Sequence, residues 1–118
     1  MAEIDNITAQ IAAGQSLSPQ IDIGSKSLAG LQIPANWTTA SLSFQVSVDG
    51  GTTWTELTTA AGAAFAIGSL ANGTPRYVAI DPTTLRGAQS LKIRSGTAAA
   101  PVNQTNAVTL TLVTRLAF

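Results

Sequence analysis

SLSFQVSVDGGTTWTEL, residues 41–57, decides the fold, because this single run specifies a complete β-hairpin. Its first eight residues alternate between polar and apolar side chains, which is the period of a strand with one face in a core. The apolar members are Leu42, Phe44, Val46 and Val48. Asp49, Gly50 and Gly51 then permit a tight reversal, and a return strand rich in Thr and Trp follows. The remaining chain must cover the apolar face of this hairpin.

Strand-like segments recur along the rest of the chain, separated by Gly- and Pro-marked turns. Ile4, Ile7 and Ile11 also fit a helical stripe, but β-branched residues and the early Gly14 favour a strand. Pro19 places its segment at a sheet edge or a bulge. Predicted strands span residues 7–11, 16–23, 63–67, 76–80, 90–95 and 107–118.

Two connecting segments complete this pattern. Residues 24–27 are predicted as a turn, from which Leu28, Leu31 and Ile33 lead into Pro34, and residues 81–85 as a single helical turn. Many short strands without a helical pattern of useful length predict an all-β fold, an antiparallel β-sandwich or jelly roll with little or no helix. Residues 1–118 are predicted to form one domain, with residues 1–14 as an N-terminal arm or an edge strand at a partner interface.

Low charge is the main compositional feature. The 118 residues are 10% charged with a formal net charge of zero, and the six Lys and Arg residues are scattered among six acids. A chain without a basic footprint is not expected to bind nucleic acid. A neutral surface offers little repulsion between copies, so we expect a homo-oligomer, a trimer being one arrangement that fits. The N-terminal sequence lacks the basic region and long apolar run of a signal peptide or membrane anchor.

The side chains that usually carry catalysis are scarce. The sequence contains no His and no Cys, which removes the commonest general base, metal ligand and nucleophile pairs. Asp22, Asp49, Glu56 and Asp81 remain as carboxylates, but each has a local structural role in the predicted fold, and none has the spacing of a calcium loop. We therefore predict no catalytic residues, no metal site and no cofactor, and expect that the protein is not an enzyme.

One motif in the hairpin is specific. Residues 47–54, SVDGGTTW, match the Asp-box pattern Ser-x-Asp-x-Gly-x-Thr-Trp of sialidases and other β-proteins. Ser and Asp side chains can bind turn amides while Trp packs beneath them. The match covers one copy, so the resemblance implies a structural turn and no activity. The predicted turn residues are Ser47, Asp49, Gly50, Gly51, Thr53 and Trp54.

A broader resemblance covers most of the chain. The pieces LQIPANWT (31–38), the hairpin at 44–54, RSGT (94–97) and PVNQ (101–104) resemble small virion proteins of tailed bacteriophages and prophages. The order of strands is also similar to galactose-binding-like, discoidin-type sandwiches. The resemblance implies a non-enzymatic structural protein located in the virion. It would bind the major capsid protein or other virion proteins as a decoration protein of the head.

Location on the tail or baseplate implies an alternative, a module that binds host carbohydrate. Its candidate contacts are Asn36, Trp37, Asn103 and Gln104, where amides and an aromatic ring lie outside regular strands. Trp37 has a second interpretation, as a plug at one end of the core. For attachment to the head, the terminal strands are the predicted contacts. Deleting residues 1–13 is expected to abolish attachment while leaving a folded domain.

Overall fold

The computed structural model describes residues 4–24, 26–81, 84–85 and 88–116. Within these residues all regular structure is β-strand, and the prediction of an all-β antiparallel β-sandwich is confirmed. The strands are β1 (Ile4–Ile11), β2 (Ile21–Asp22), β3 (Lys26–Ile33), β4 (Ala40–Ser47), β5 (Thr55–Glu56), β6 (Ile67–Leu70), β7 (Arg76–Ala79), β8 (Ser90–Ser95) and β9 (Val108–Leu116).

Two antiparallel sheets form the layers. The front sheet has the order β1-β9-β3-β7, and the back sheet has the order β2-β8-β4-β5, with β6 also paired to β4. Both sheets contribute to one buried apolar cluster, in which Leu31 and Leu112 come from the front sheet and Phe44 and Ile93 from the back. Burial of this shared face holds the layers together, since each fully buried side chain of this kind stabilises by about 1.5–3 kcal/mol.

The hairpin at residues 41–57 forms, although its first strand is shorter than predicted. β4 ends at Ser47 and pairs with β5 through Gln45↔Glu56 and Val46↔Thr55. Val48 was predicted to face the core, but its side chain is 71% exposed, so that prediction is wrong. The alternation stops there because Asp49 begins the turn, whose hydrogen bonds replace the strand ladder.

The alternation in residues 41–48 also implies that the polar side chains of β4 face solvent, which is wrong for two of the serines. Ser43 and Ser47 are buried beside the neighbouring strand and loops. Ser43 Oγ donates to Gly96 O at 2.7 Å, and Ser47 Oγ accepts from Gly51 N at 2.8 Å. Serine suits these positions because it is small and its hydroxyl finds a partner when buried.

β3 was not predicted, because its apolar residues do not alternate. A register shift between Leu28 and Gly30 against β9 lets both Leu28 and Leu31 face the core, three residues apart. A bulge of this kind inserts one residue and so breaks the two-residue period. The strand begins at Lys26, inside the predicted turn at 24–27.

Other strand boundaries differ from the predicted ones. The predicted strand at 16–23 contains only β2, preceded by an isolated bridge between Leu17 and Arg94. β6 begins at Ile67, where the predicted strand at 63–67 was to end. Pro82 and Thr83 of the predicted helical turn lie outside the described residues. β1 lies at the edge of the front sheet and buries Ala9 and Ile11, so deleting residues 1–13 would open the core.

Candidate functional site

The Asp-box residues lie in one closed turn between β4 and β5. Asp49 Oδ1 accepts from Ser47 Oγ at 2.7 Å, from Thr52 N at 3.1 Å and from Thr53 N at 2.9 Å. Gly50 and Gly51 have φ of 79° and 104°, a conformation that side chains with a Cβ rarely adopt. The hydrogen bonds of Thr53 and then Ser47 lower the pKa of Asp49 to about 2.

Trp54 closes this turn from below. Its indole Nε1 donates to Gly51 O at 3.0 Å, and Lys92 Nζ lies 4.4 Å from the ring centroid, a cation–π contact with the adjacent part of the sheet. The carboxylate and the ring of the Asp-box therefore have partners within the protein. The motif acts as a structural turn.

The residues predicted to contact a ligand are divided between the interior and the surface. Trp37 is fully buried and its Nε1 donates to Ala40 O at 3.3 Å, so its ring is not available for stacking on a ligand. Gln104 is fully buried as well. Asn36 and Asn103 are exposed, and Asn36 Nδ2 donates to Ala107 O at 3.2 Å. The four residues do not form an open aromatic and amide site.

Gln104 fastens the loop that follows β8 to the loop around Trp37. Its Oε1 accepts from Thr38 N at 2.7 Å, while its Nε2 donates to Thr38 O at 3.2 Å and Ser95 Oγ at 2.7 Å. A buried amide with its donors and acceptor satisfied in this way is costly to disturb. The hydrogen bonds of Gln104 thus hold this end of the sandwich closed.

An open groove of about 510 Å³ lies at the opposite end, where β4 runs into the Asp-box. Its lining comes from three separate parts of the chain: Asp22, Gly24, Gly50, Gln89 and Ser90. Asp22 ends β2, Ser90 begins β8, and the register Asp22↔Ser90 sets the two side by side. Sequence reasoning missed the groove because its residues are up to 68 positions apart and share no motif.

Hydrogen bonds fix the carboxylate of the groove. Asp22 Oδ1 accepts from Ser90 Oγ at 2.6 Å and from Gln20 Nε2 at 2.8 Å, and these two bonds, that of Ser90 first, lower the pKa of Asp22. Gln20 Nε2 also lies 3.2 Å from Gly50 O, which ties the segment before β2 to the Asp-box turn. An ionised carboxylate beside the exposed amide of Gln89 offers both acceptors and donors, a combination suited to binding hydroxyl groups.

On the back sheet, Arg94 and Glu56 form an ion pair. Arg94 Nη1 lies 2.6 Å from Glu56 Oε1 and Nη2 lies 2.7 Å from Oε2, a bidentate geometry. Arg94 lowers the pKa of Glu56, and Gln45 Nε2 donates to the same carboxylate at 3.1 Å. Neither member of this pair is arranged as a free acid or base.

The outward face of the front sheet has the opposite character. Thr8, Thr111, Gln32 and Tyr77 lie in one row across its four strands. None of the outward residues in the middle of this sheet is charged, and together they define the front face: Asn6, Thr8, Gln10, Gln32, Tyr77, Ala79, Thr109, Thr111 and Val113. Tyr77 is 56% exposed and lies over Gly30, where any side chain would clash with its hydroxyl. The result is a broad surface of hydroxyl, amide and aromatic groups.

Among the described residues, no group of three or more His, Cys, Asp or Glu side chains is placed to hold a metal ion. The part of the chain that the structure describes has no helix with the length and apolarity needed to cross a bilayer.

Comparison with known proteins finds a similar fold among solved structures. No family model matches the chain, and no curated protein sequence matches it. The structure is similar to that of the SPBc2 prophage-derived protein YomS, with a TM-score of 0.57 and 18% identity over 98% of this chain and 95% of YomS. This likeness shows a common fold along nearly the whole of both chains.

Two further structures match less well. Chitosan-binding module 1 of a chitosanase/glucanase from Paenibacillus sp. IK-5 gives a TM-score of 0.44 at 20% identity over 86% of this chain and 71% of the module. The mitogen from Yersinia pseudotuberculosis gives 0.39 at 15% identity over 99% of this chain and 88% of the mitogen.

Proposed function

We propose that this chain is a non-enzymatic structural protein of a bacteriophage virion, and that it binds and stabilises the head as a decoration protein. The observation that carries the proposal is the match of fold to a prophage-derived protein over 98% of this chain and 95% of the other. It agrees with the sequence resemblance to phage virion proteins, which rests on residues 31–38, 44–54, 94–97 and 101–104. Its partners would be the major capsid protein and further copies of itself.

The front face is the surface we assign to the head contact. It is uncharged in its middle and presents side chains from all four strands of the front sheet, with Tyr77 over half exposed. Interfaces are enriched in Tyr and depleted of charge at their cores. The back sheet carries Arg94, Glu56 and Lys92, which makes it the less suitable face.

Reattachment to particles that lack the chain tests this proposal. Purified protein should bind such heads and raise the temperature at which they release DNA. The double variant Gln32→Lys/Thr109→Lys places two charges on the front face, where both residues are exposed, and should bind at least about tenfold more weakly. A control with the same charge, Thr58→Lys/Thr59→Lys, alters exposed residues of the loop after β5 and should bind like the wild type.

Absence of binding to heads would refute the decoration role. Equal loss in both double variants would refute the assignment of the front face, because the effect would then follow net charge and not position.

The groove favours a second candidate function, carbohydrate binding on a tail or baseplate. Its exposed Asp22 carboxylate and exposed Gln89 amide are groups that hydrogen-bond sugar hydroxyls, and Ser90 holds the carboxylate in place. Titration with host surface polysaccharide should then show binding that Gln89→Ala abolishes and that Asn103→Ala, a change at an exposed amide outside the groove, preserves. Binding that survives Gln89→Ala would exclude the groove.

A further inference from the structure

The outer edge of β1 has no partner strand among the described residues. β1 pairs along all eight positions with β9, from Ile4↔Arg115 to Ile11↔Val108, without a register shift. In an antiparallel ladder, every second residue directs its N–H and C=O groups to the opposite side. β1 therefore presents a straight row of backbone donors and acceptors along the free edge of the front sheet.

The other sheet edges in the described part of the chain are much shorter. β2 and β5 have two residues each, and β6 and β7 have four. Pro19 precedes β2 and Pro75 precedes β7, and proline blocks strand addition by removing a donor. Short strands, prolines, bulges and charged side chains, lysine above all, are the devices by which monomeric proteins protect their edges. β1, with the sequence IDNITAQI, is eight residues long and has no proline, no lysine and no register shift, and Asp5 near its start is its one charged residue.

We propose that β1 pairs antiparallel with β1 of a second copy of this chain, so that two front sheets join into one eight-stranded sheet. The two-fold axis would pass beside either Ile7 or Thr8, so that this residue pairs with its own copy. Of the registers that keep inward residues opposite inward residues, these two give the longest overlap of the strands. With the axis at Ile7, Asn6 meets Thr8 of the other copy. With the axis at Thr8, Asn6 meets Gln10.

Self-complementarity makes a second copy the occupant that fits. In both registers the polar residues Asn6, Thr8 and Gln10 stay on the outer face, where amides and hydroxyls can hydrogen-bond across the junction. The inward residues Ile7, Ala9 and Ile11 continue the core side of the sheet. A net charge of zero adds little repulsion between whole molecules.

Sedimentation of the purified full chain tests the pairing without any virion component. A failure to dimerise would therefore refute the pairing without bearing on whether the chain binds phage heads. Between about 1 µM and about 500 µM, the wild type should shift from monomer to dimer. Asn6→Lys/Thr8→Lys sets lysines opposite each other in both registers and should weaken the dimer about tenfold. Gln32→Lys/Thr109→Lys adds the same charge to exposed residues of the same sheet away from the edge and should dimerise like the wild type.

Cross-linking gives a second readout that does not depend on charge. The chain has no cysteine, so a single introduced thiol is unique. A short bis-maleimide should link Thr8→Cys into a covalent dimer, because the two thiols lie opposite or one diagonal step apart in the proposed registers. Gln32→Cys on an inner strand should remain unlinked. Thermal melts of all variants verify that they are folded.

Several results would overturn the pairing. These are a wild type that stays monomeric throughout the range, a dimer that persists unchanged in Asn6→Lys/Thr8→Lys, or equal cross-linking of the two cysteine variants. A monomeric wild type, together with attachment to particles that is lost in Asn6→Lys/Thr8→Lys but kept in Gln32→Lys/Thr109→Lys, would refute self-pairing. It would also move the proposed head contact from the middle of the front face to the β1 edge, with a different virion protein as the partner.

Discussion

Replacing Phe44 by Ala tests whether the hairpin at residues 41–57 is the centre of the core. Phe44 is fully buried on β4, between β8 and β5, and its ring centroid lies 5.9 Å from that of Phe65. Truncating a buried Phe to Ala typically costs about 3–5 kcal/mol, through lost transfer energy and the remaining cavity. A domain of this size has about 5–15 kcal/mol of stability, so the variant should fold but with much less reserve.

The matched control is Val48→Ala. Val48 follows the same alternation four residues later, but it is 71% exposed, so its truncation should change the free energy of unfolding by less than about 0.5 kcal/mol. Urea denaturation, followed by the fluorescence of Trp37 and Trp54 and by circular dichroism, measures both variants.

The two variants should differ clearly in melting temperature. Phe44→Ala should melt roughly 10–20 °C below the wild type, and Val48→Ala should be indistinguishable from it. A loss below about 1 kcal/mol for Phe44→Ala would place that side chain outside a tightly packed core, against typical losses for buried Phe. Equal losses for both variants would show that the strand continues through Val48, and the described end of β4 would then be wrong.

Three further changes test local features of the fold. Gly96→Ala should lower the free energy of unfolding by about 2 kcal/mol or more, because φ is +88° and a Cβ would clash with nearby backbone. Gly73→Ala is the control, since φ is +99° there but the space around it is open, and it should cost less. Equal losses in the two variants would exclude the clash as the cause. Glu56→Gln should lower the free energy of unfolding by about 1 kcal/mol in urea, because the side chain of Arg94 is 8% exposed and loses its anionic partner. The loss is small because Glu56 is 37% exposed and solvent screens its charge. An unchanged midpoint would show that the ion pair contributes nothing to stability. The pKa of Asp49 is lowered from 3.8 to about 2, so the stability it contributes is full above about pH 4 and is lost as pH falls towards 2. Asp49→Asn should therefore melt lower than the wild type at neutral pH and lose less on acidification, and identical acid profiles would refute that role.

The hairpin was predictable because its signals are local. Alternation identified β4, and Asp49 with the two glycines after it identified the turn, since both depend on neighbours within a few residues. The limits of the pattern were not predictable. Val48 continues the alternation in sequence, but the competing hydrogen bonds of the Asp-box end the strand at Ser47.

β3 and the groove show what sequence patterns miss. A bulge sets Leu28 and Leu31 on one face, so strand periodicity is broken although the strand spans eight residues. The groove depends on the pairing of β2 with β8, which brings Asp22 to Ser90 across most of the chain. Trp37 had two interpretations from sequence, and only the packing around it distinguishes the buried plug from an exposed platform.

An image of the intact particle tests the central claim, that the chain is a decoration protein of a phage head, most directly. Cryo-electron microscopy of particles from the genome that encodes the chain should show the two-layered sandwich on the capsid surface, in repeating copies, with the front face towards the major capsid protein. Particles that lack this density on the head, or that carry it only on the tail, would contradict the claim.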